Sequence, residues 1–256
     1  MKKLFTLSLV LLMTLSLSAA AIEIPEELLS LMFGEAEPVE LTLAEENMIL
    51  YPTYGDYTGE YAAIIKNDTD QPARLGRDGK LELLDKDQQV VQTIDIYSSY
   101  PTIIPAGGVS YVSGRMMSMT EEDAGRVTSH KFTIAGQALS DYDLIKFTPL
   151  TASAEYEQNE NPYGDGQGTA HEAALYSTIV NPTDATAFDP NVVNILRDAE
   201  GKLILISMDA AYSVGIPAGG KIILRTRVDD GLATLMAQQN TTVASVESIA
   251  FIETYE

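Results

Sequence analysis

The sequence predicts an all-β protein made of two tandem β-sandwiches related by internal duplication. One observation is a repeated pentapeptide, because Ile104-Pro105-Ala106-Gly107-Gly108 recurs letter for letter 112 positions later, at 216–220. Another is that an Asn-rich turn and an acidic hairpin recur in the same order, at offsets of 114 and 113 positions. Short apolar runs between these turns are typical of strands. A module of about 110 residues has the usual length of one domain.

The first 21 residues have the order of a secretory signal peptide. Lys2 and Lys3 precede an apolar run over residues 4–17, and the small residues at 18–21 follow. We expect cleavage after position 20 or 21 and a secreted or extracytoplasmic protein; a retained membrane anchor is the alternative. The chain has no cysteine, so we expect neither lipidation after the signal nor disulfides. No C-terminal anchor and no membrane insertion after signal cleavage are expected.

The charge balance excludes some classes of partner. The chain has 37 acidic and 16 basic residues, and loss of Lys2 and Lys3 with the signal leaves 14 basic residues and a net charge of −23. Binding to nucleic acid or to an anionic membrane requires clustered Lys and Arg, so neither is an expected partner. The charge favours solubility outside the cell over a specific cationic ligand.

Residues 22–40 are predicted to be an acidic linker with a short helix. Pro25 suits a first helical turn, the neighbouring glutamates suit the positive end of the helix dipole, and Gly34 suits the position after the last turn. Such a short helix packs on its own domain or frays, although its apolar face is also able to dock on a partner. The repeats are then predicted to occupy residues 41–150 and 151–256.

Each repeat is expected to contain the same strands and turns. In the first repeat, a strand over 60–66 ends at the turn Asn67-Asp68-Thr69-Asp70, which corresponds to Asn181-Pro182-Thr183-Asp184. Two strands then flank a hairpin turn at 85–89, which corresponds to the glycine-containing turn at 198–202. The strand after the second Pro-Ala-Gly-Gly turn, near 221–228, alternates apolar and basic residues.

A short polar segment with helical character follows that strand in each repeat. Thr120-Glu121-Glu122-Asp123 is expected to cap a short helix in the first repeat, and Asp230 to cap a helix over 231–239 in the second. Each repeat is then expected to end in a strand, at 144–147 and at 248–252.

Two short motifs give this plan a resemblance to a known family. Leu81-Glu82-Leu83-Leu84-Asp85 and Ile195-Leu196-Arg197-Asp198 stand where FxLYD-type domains have an aromatic-x-Leu-Tyr-Asp pattern before a hairpin. With the Asn-rich turn and the Pro-Ala-Gly-Gly turn, the chain resembles the FxLYD-type immunoglobulin-like domains of secreted bacterial proteins. The resemblance covers about half of the mature chain. It implies tandem immunoglobulin-like sandwiches in a cell-surface or extracellular setting, and it supplies no catalytic residue.

Residues with catalytic potential near neutral pH are few. His130 and His171 are the two histidines, and neither has the spacing of a metal ligand. The glycine-rich stretch 163–168 before His171 lacks the lysine of a phosphate-binding loop, and we interpret it as a connector. Acidic turns such as Asp68-Thr69-Asp70, Asp85-Lys86-Asp87 and Asp229-Asp230 do not complete a calcium loop, so solvated turns are favoured. No catalytic residue, metal or cofactor is expected.

The candidate binding residues are tyrosines. Eight of the 13 tyrosines lie between positions 51 and 142, with a dense group in 51–61 and two more before the first Pro-Ala-Gly-Gly turn. Tyrosines on loops make good contact residues because they bring large area and a hydroxyl at low entropic cost. The alternative for each is a half-buried place in a strand. The candidates are Tyr51, Tyr54, Tyr57, Tyr97 and Tyr100.

Two hypotheses about function remain at this point. The first is a non-catalytic exported protein whose tandem domains bind an unknown protein or glycan, or act as spacers. The second is a carboxylate-based hydrolase of glycosidase type, since the many carboxylates permit a pair at catalytic spacing. A deep pocket with converging carboxylates favours the second hypothesis, and a smooth sandwich surface favours the first.

Overall fold

The computed structural model describes residues 37–53, 55–96, 98–115, 118–139, 145–161 and 170–255. Within these ranges the protein is all-β, as the sequence predicts, with antiparallel sheets and two short helices. We call residues 37–139 the first half and residues 145–255 the second half.

The first half has three small sheets and one helix. Strands β2, β3 and β7 form one sheet in the order β2-β3-β7, a second has the order β6-β5-β8, and a third has the order β1-β9-β4. The elements are β1 (Pro38–Val39), β2 (Thr42–Thr53), β3 (Asp56–Lys66), β4 (Ala73–Leu75), β5 (Lys80–Leu84), β6 (Val90–Asp95), β7 (Val109–Arg115), α1 (Glu121–Arg126), β8 (Ser129–Thr133) and β9 (Gly136–Ala138).

The second half has one large sheet, one small sheet and one helix. The large sheet has the order β14-β13-β17-β10-β11-β16, and β12 pairs with β15. The elements are β10 (Ile145–Asn161), β11 (Ala170–Val180), β12 (Ala187–Phe188), β13 (Asn191–Arg197), β14 (Leu203–Ala210), β15 (Gly215–Ile216), β16 (Lys221–Val228), α2 (Asp230–Gln238) and β17 (Ser245–Tyr255).

The two halves have the same order of strand pairings. The arrangement β2-β3-β7 corresponds to β10-β11-β16, and β6-β5-β8 corresponds to β14-β13-β17. In the second half, β10 belongs to both arrangements, because residues 145–150 pair with β17 and residues 151–161 pair with β11. These shared pairings are what an internal duplication predicts; the common origin of the halves stays a prediction.

Two predicted boundaries differ from the structure. The strand expected at 144–147 exists as the start of β10, but its residues 145–150 pair with β17 near the end of the chain and not with a strand of the first half. In the first half, the partner of β5 that corresponds to β17 is β8. The boundary predicted between 150 and 151 falls inside β10, since a long strand passes from one sheet partner to the other. All described residues belong to one compact unit.

The Asn-rich turns of the two halves have matching hydrogen bonds. Asn67 is fully buried, its Nδ2 donates to the carbonyls of Gln71 and Ile104 at 2.7 and 3.0 Å, and its Oδ1 accepts from the Thr69 hydroxyl. Asn181 is equally buried, and its Nδ2 donates to the equivalent carbonyls at 2.7 and 2.8 Å. Each asparagine therefore fastens its own turn to the Pro-Ala-Gly-Gly turn of the same half, which explains why both motifs recur together.

Glycine is required in the repeated turns by backbone geometry. Gly107 and Gly219 have φ angles of 68° and 69°, the left-handed region that favours glycine. The acidic hairpins also match, because Asp85 accepts from two backbone N–H groups of its turn and Asp198 does the same. Each of these hairpin turns has one residue in the left-handed backbone conformation. It is Gly201 in the second half, with a φ angle of 79°, and Gln88 in the first half, with a φ angle of 60°.

The helix caps follow the predicted pattern with one correction. Within the segment 120–123 that is predicted to cap a helix, Thr120 is the cap of α1, and its side chain accepts from the N–H of Asp123. The predicted cap Asp230 is instead the first residue of α2, and the capping side chain is Asp229, which accepts from the N–H of Gly231 at 2.9 Å. Adjacent aspartates both satisfy the sequence pattern for a cap, so the pattern leaves the position uncertain by one residue.

The two halves share hydrophobic cores. One core joins Ala62, Ile64 and Tyr111 of the first half to β13 and β17, where Phe251 is fully buried. Strand β3 is therefore buried on both faces, since Tyr61 and its alternate neighbours face the core of the first half. A further core places Tyr51 of the first half against β11 and α2.

Polar contacts also cross between the halves. The side chain of Asn47 donates to the carbonyl of Ile204 at 2.7 Å. The hydroxyl of Ser113 donates to the carbonyl of Ile206 at 2.6 Å. The guanidinium of Arg197 donates to both carboxylate oxygens of Glu45, a bidentate geometry with a specific orientation. These contacts and the shared cores make the halves one body.

Candidate functional site

A surface groove lies where α2 covers one end of strands β10 and β11. Even-numbered residues of β10 face inward here, because side chains alternate between the two faces of a strand. The groove has a volume of about 440 Å³. Its lining combines apolar, amide, hydroxyl, carboxylate and imidazole groups, from Tyr156, Gln158, Glu160, His171, Met236, Ala237, Asn240, Thr241, Thr242 and Val243.

Two hydrogen bonds fix α2 over the strands. The side chain of Gln158 on β10 donates to the carbonyl of Ala233 at 2.7 Å. The backbone N–H of His171 on β11 donates to the hydroxyl of Thr234 at 3.0 Å. Because one bond comes from each strand, α2 is fixed relative to both β10 and β11 without a ligand.

The floor of the groove is apolar and its polar groups are oriented. Met236 is buried beneath the groove, and the half-buried ring of Tyr156 forms a wall. The Tyr156 hydroxyl donates to Oε1 of Gln158 at 3.2 Å. Burial raises the pKa of Tyr156 to about 12, so this hydroxyl keeps its proton at neutral pH. Its oxygen retains the capacity to accept a hydrogen bond.

A carboxylate and an imidazole lie next to each other in the lining of the groove. Glu160 on β10 and His171 on β11 are paired in register, so their side chains leave the same face of the sheet at adjacent positions. Glu160 is exposed and His171 is half-buried. Chemically, this pair offers a strong acceptor beside a group that is able to donate or accept. The sequence alone assigns His171 no role. Its place beside Glu160 follows once the strands on either side of residues 162–169 are paired with each other.

The chain after α2 forms the remaining wall. Asn240 has a φ angle of 53°, a left-handed conformation that asparagine tolerates, and it ends the helix. The N–H of Thr241 then donates to the carbonyl of Met236 at 2.8 Å, which closes the last helical turn. This helix ending places the amide of Asn240 and the hydroxyls of Thr241 and Thr242 along the groove.

The tyrosines predicted as binding residues do not form one exposed patch among the described residues. Tyr51 is fully buried in the core against α2, and its hydroxyl donates to Glu60 at 3.2 Å. Tyr57 is half-buried and packs against the core of the first half. The two rings lie on opposite faces of the β2–β3 hairpin, because Tyr51 pairs with Thr58 while Tyr57 pairs with Pro52. The structural role that the sequence left open applies to Tyr51.

The remaining candidate tyrosines have separate locations. Tyr100 is half-buried, packs on the core shared by the halves, and lines a smaller cavity of about 210 Å³ with Met208 and Asp209. Tyr212 lies at the same cavity and is 78% exposed. Tyr54 and Tyr97 lie outside the described residues, as do the predicted signal, most of the linker and the glycine-rich connector at 163–168.

The acidic turns considered for calcium have structural partners. Asp85 accepts from backbone N–H groups, chiefly that of Gln89, which lowers the pKa of its carboxyl. Asp68 accepts from the Thr42 hydroxyl and the Lys66 ammonium, which also lowers its pKa. Asp229 caps α2. Within the described ranges, no group of three or more His, Asp or Glu side chains is arranged to hold a metal ion.

His130, the other histidine of the chain, belongs to a polar cluster in the first half. Its Nε2 lies 3.2 Å from Oε2 of Glu46, which also accepts from the Tyr61 hydroxyl at 2.7 Å. Burial, with Glu46 adding to the effect, raises the pKa of Tyr61.

None of the helices that the structure describes is long and apolar enough to cross a membrane.

Comparisons with known proteins identify no family for this chain. No family model and no curated protein matches it. Among solved structures, the crystal structure of red sea bream transglutaminase matches with 12% sequence identity and a TM-score of 0.22. The match covers 91% of this chain and 32% of that chain, and a TM-score this low carries no argument about fold or function.

Proposed function

We propose that the protein is an exported, non-catalytic binding protein in which two immunoglobulin-like halves form one rigid body and the groove beneath α2 holds the ligand. The observation that carries this proposal is the groove itself. It joins an apolar floor at Met236 to hydrogen-bonding groups that are already oriented, which is the usual composition of a binding site.

The shared cores favour a binding role over a flexible spacer. A spacer of independent domains requires few contacts between them, whereas here Tyr51 and Phe251 are fully buried where the halves meet. Export rests on the Lys-Lys, apolar and small-residue order of the first 21 residues.

The hydrolase alternative rests on Glu160 and His171, which lie together at the groove. Hydrolysis by two carboxylates requires a second one facing the first, and Glu160 is the one carboxylate among the described lining residues. The groove therefore supports binding better than hydrolysis.

Methyl NMR of methionine tests the proposal, since the chain has no tryptophan for fluorescence. Met236 reports on the groove, Met208 on the smaller cavity, and Met119 on the core of the first half. We expect soluble ligands to shift the Met236 methyl signal while the Met119 signal stays unchanged. Shifts confined to Met208 or Met119 contradict a ligand site beneath α2, and hydrolysis of a bound ligand contradicts a non-catalytic role.

A further inference from the structure

We infer that the groove beneath α2 binds a neutral saccharide, an inference that rests on the proposed binding function. The apolar part of the groove matches the C–H face of a sugar ring. Met236 at the floor is only 2% exposed, so the half-buried ring of Tyr156 is the apolar surface on which a sugar ring is able to pack.

The polar part of the groove matches hydroxyl groups. Sugar hydroxyls both donate and accept, so a site for them needs acceptors and donors together. Glu160 supplies acceptor oxygens, Asn240 supplies an amide with both functions, and Thr242 supplies a hydroxyl. Gln158 is held between the Tyr156 hydroxyl and the Ala233 carbonyl, so its amide is oriented in advance.

The charge around the groove selects against anionic ligands. Among the described residues that line it, none is Lys or Arg, while Glu160 is negative. The whole chain carries a net charge of −21, which repels an anion at a distance. An acidic sugar therefore lacks a Lys or Arg side chain to pair with among the described lining residues, and a neutral sugar avoids the repulsion.

Peptides that bind to sheets gain affinity by adding a strand to an open edge. Beside the groove, residues 151–161 of β10 pair with β11, and β17 pairs only with residues 145–150 of β10. An extended peptide is therefore the competing class of ligand, and a peptide that binds while no neutral trisaccharide does overturns the saccharide inference.

The test is isothermal titration calorimetry of the full chain with four trisaccharides. The neutral probes are chitotriose, cellotriose and maltotriose, and the anionic probe is trigalacturonate. We expect at least one neutral trisaccharide to bind more tightly than trigalacturonate. Glu160→Gln is expected to weaken that binding about tenfold, since a hydrogen bond to a charged group is lost.

The matched control is Glu157→Gln on the same strand. Glu157 is exposed and lies on the opposite face of β10 from Glu160, so its substitution is expected to change affinity by no more than about twofold. A second variant, Thr242→Ala, changes an exposed side chain of the groove and is expected to weaken binding about threefold.

The outcomes separate the saccharide inference from the proposed function. Binding of no neutral trisaccharide at millimolar concentration, tighter binding of trigalacturonate, or equal effects of Glu160→Gln and Glu157→Gln overturns the inference. If another class of ligand still shifts the Met236 methyl signal, the binding function survives. Release of shorter sugars from a bound trisaccharide, lost in Glu160→Gln, overturns the non-catalytic function and leaves saccharide binding in place.

Discussion

Replacement of Tyr51 tests whether the first half is docked on the second through this side chain. Tyr51 is fully buried, and it lies against the start of α2, where a Cβ placed on Gly231 would come within 2.9 Å of its ring. Truncating a buried aromatic side chain to alanine removes its packing and leaves a cavity, which costs about 3–5 kcal/mol. We therefore expect Tyr51→Ala to lower the free energy of unfolding by about this amount, a large share of the roughly 5–15 kcal/mol of a typical domain.

Tyr51→Phe separates the hydroxyl from the ring. The hydroxyl donates to Glu60 at 3.2 Å, and loss of one such bond costs about 1 kcal/mol. Urea denaturation followed by circular dichroism measures the free energy of unfolding of both variants. The values can be compared when each variant unfolds in a single transition and the dependence of the free energy on urea concentration is unchanged. The control is Tyr212→Ala, because that side chain is 78% exposed and its loss is expected to cost no more than about 0.5 kcal/mol. If Tyr51→Ala costs no more than Tyr212→Ala, the docking of the halves through Tyr51 is refuted.

Three further predictions concern the contacts that define the fold. Gly231→Ala is expected to destabilise the protein by about 1–3 kcal/mol, because the new Cβ would lie 2.6 Å from the carbonyl oxygen of Pro52. In Gly125→Ala, in α1, the new Cβ meets no atom within 4 Å, and this variant is expected to stabilise the protein by up to about 1 kcal/mol. Thermal unfolding measures both variants. Asn67→Ala and Asn181→Ala are each expected to cost about 2–4 kcal/mol in urea, and a difference above about 2 kcal/mol contradicts their equivalence. Burial raises the pKa of Tyr111 to about 12, above the ordinary value of 10.0. Its neutral form therefore stabilises the fold below pH 10, and this stabilisation is lost as the pH rises toward about 12. The free energy of unfolding measured between pH 10 and 12 should depend less on pH in Tyr111→Phe than in the wild type.

The turns were predictable because their chemistry is local. Asn67 and Asn181 bond to residues of their own turn and to the adjacent Pro-Ala-Gly-Gly turn, so the same letters at nearly the same offset indicate the same structure. The left-handed glycines, Gly107 and Gly219, follow from the same local geometry.

The docking of the halves was harder to predict because it depends on strand faces that meet across the chain. A strand of a free sandwich is expected to alternate apolar and polar residues, but Ala62–Ile65 and Val192–Leu196 are buried without such alternation. Continuous burial of this kind marks strands covered on both faces. In the sequence this signal is visible as the apolar run Ala62–Ile65, but the residues that cover the second face were not identifiable from it.

The groove was not predictable from its residues alone. Tyr156, His171 and Met236 come from two strands and a helix, and only the pairing of β10 with β11 beneath α2 brings them together. For Tyr51 the difficulty was different, because a tyrosine is compatible with both a surface contact and a core position. The sequence left both roles open, and the β2–β3 register decides between them.

A crystal structure of the full chain with the tightest-binding neutral trisaccharide tests the central claim most directly. We expect one sugar ring to pack on Tyr156 above the buried Met236, with hydroxyl groups within hydrogen-bond distance of Glu160 and Asn240. A sugar seated instead on the exposed ring of Tyr212, or on the segment 51–61, contradicts the claim that the groove beneath α2 is the binding site.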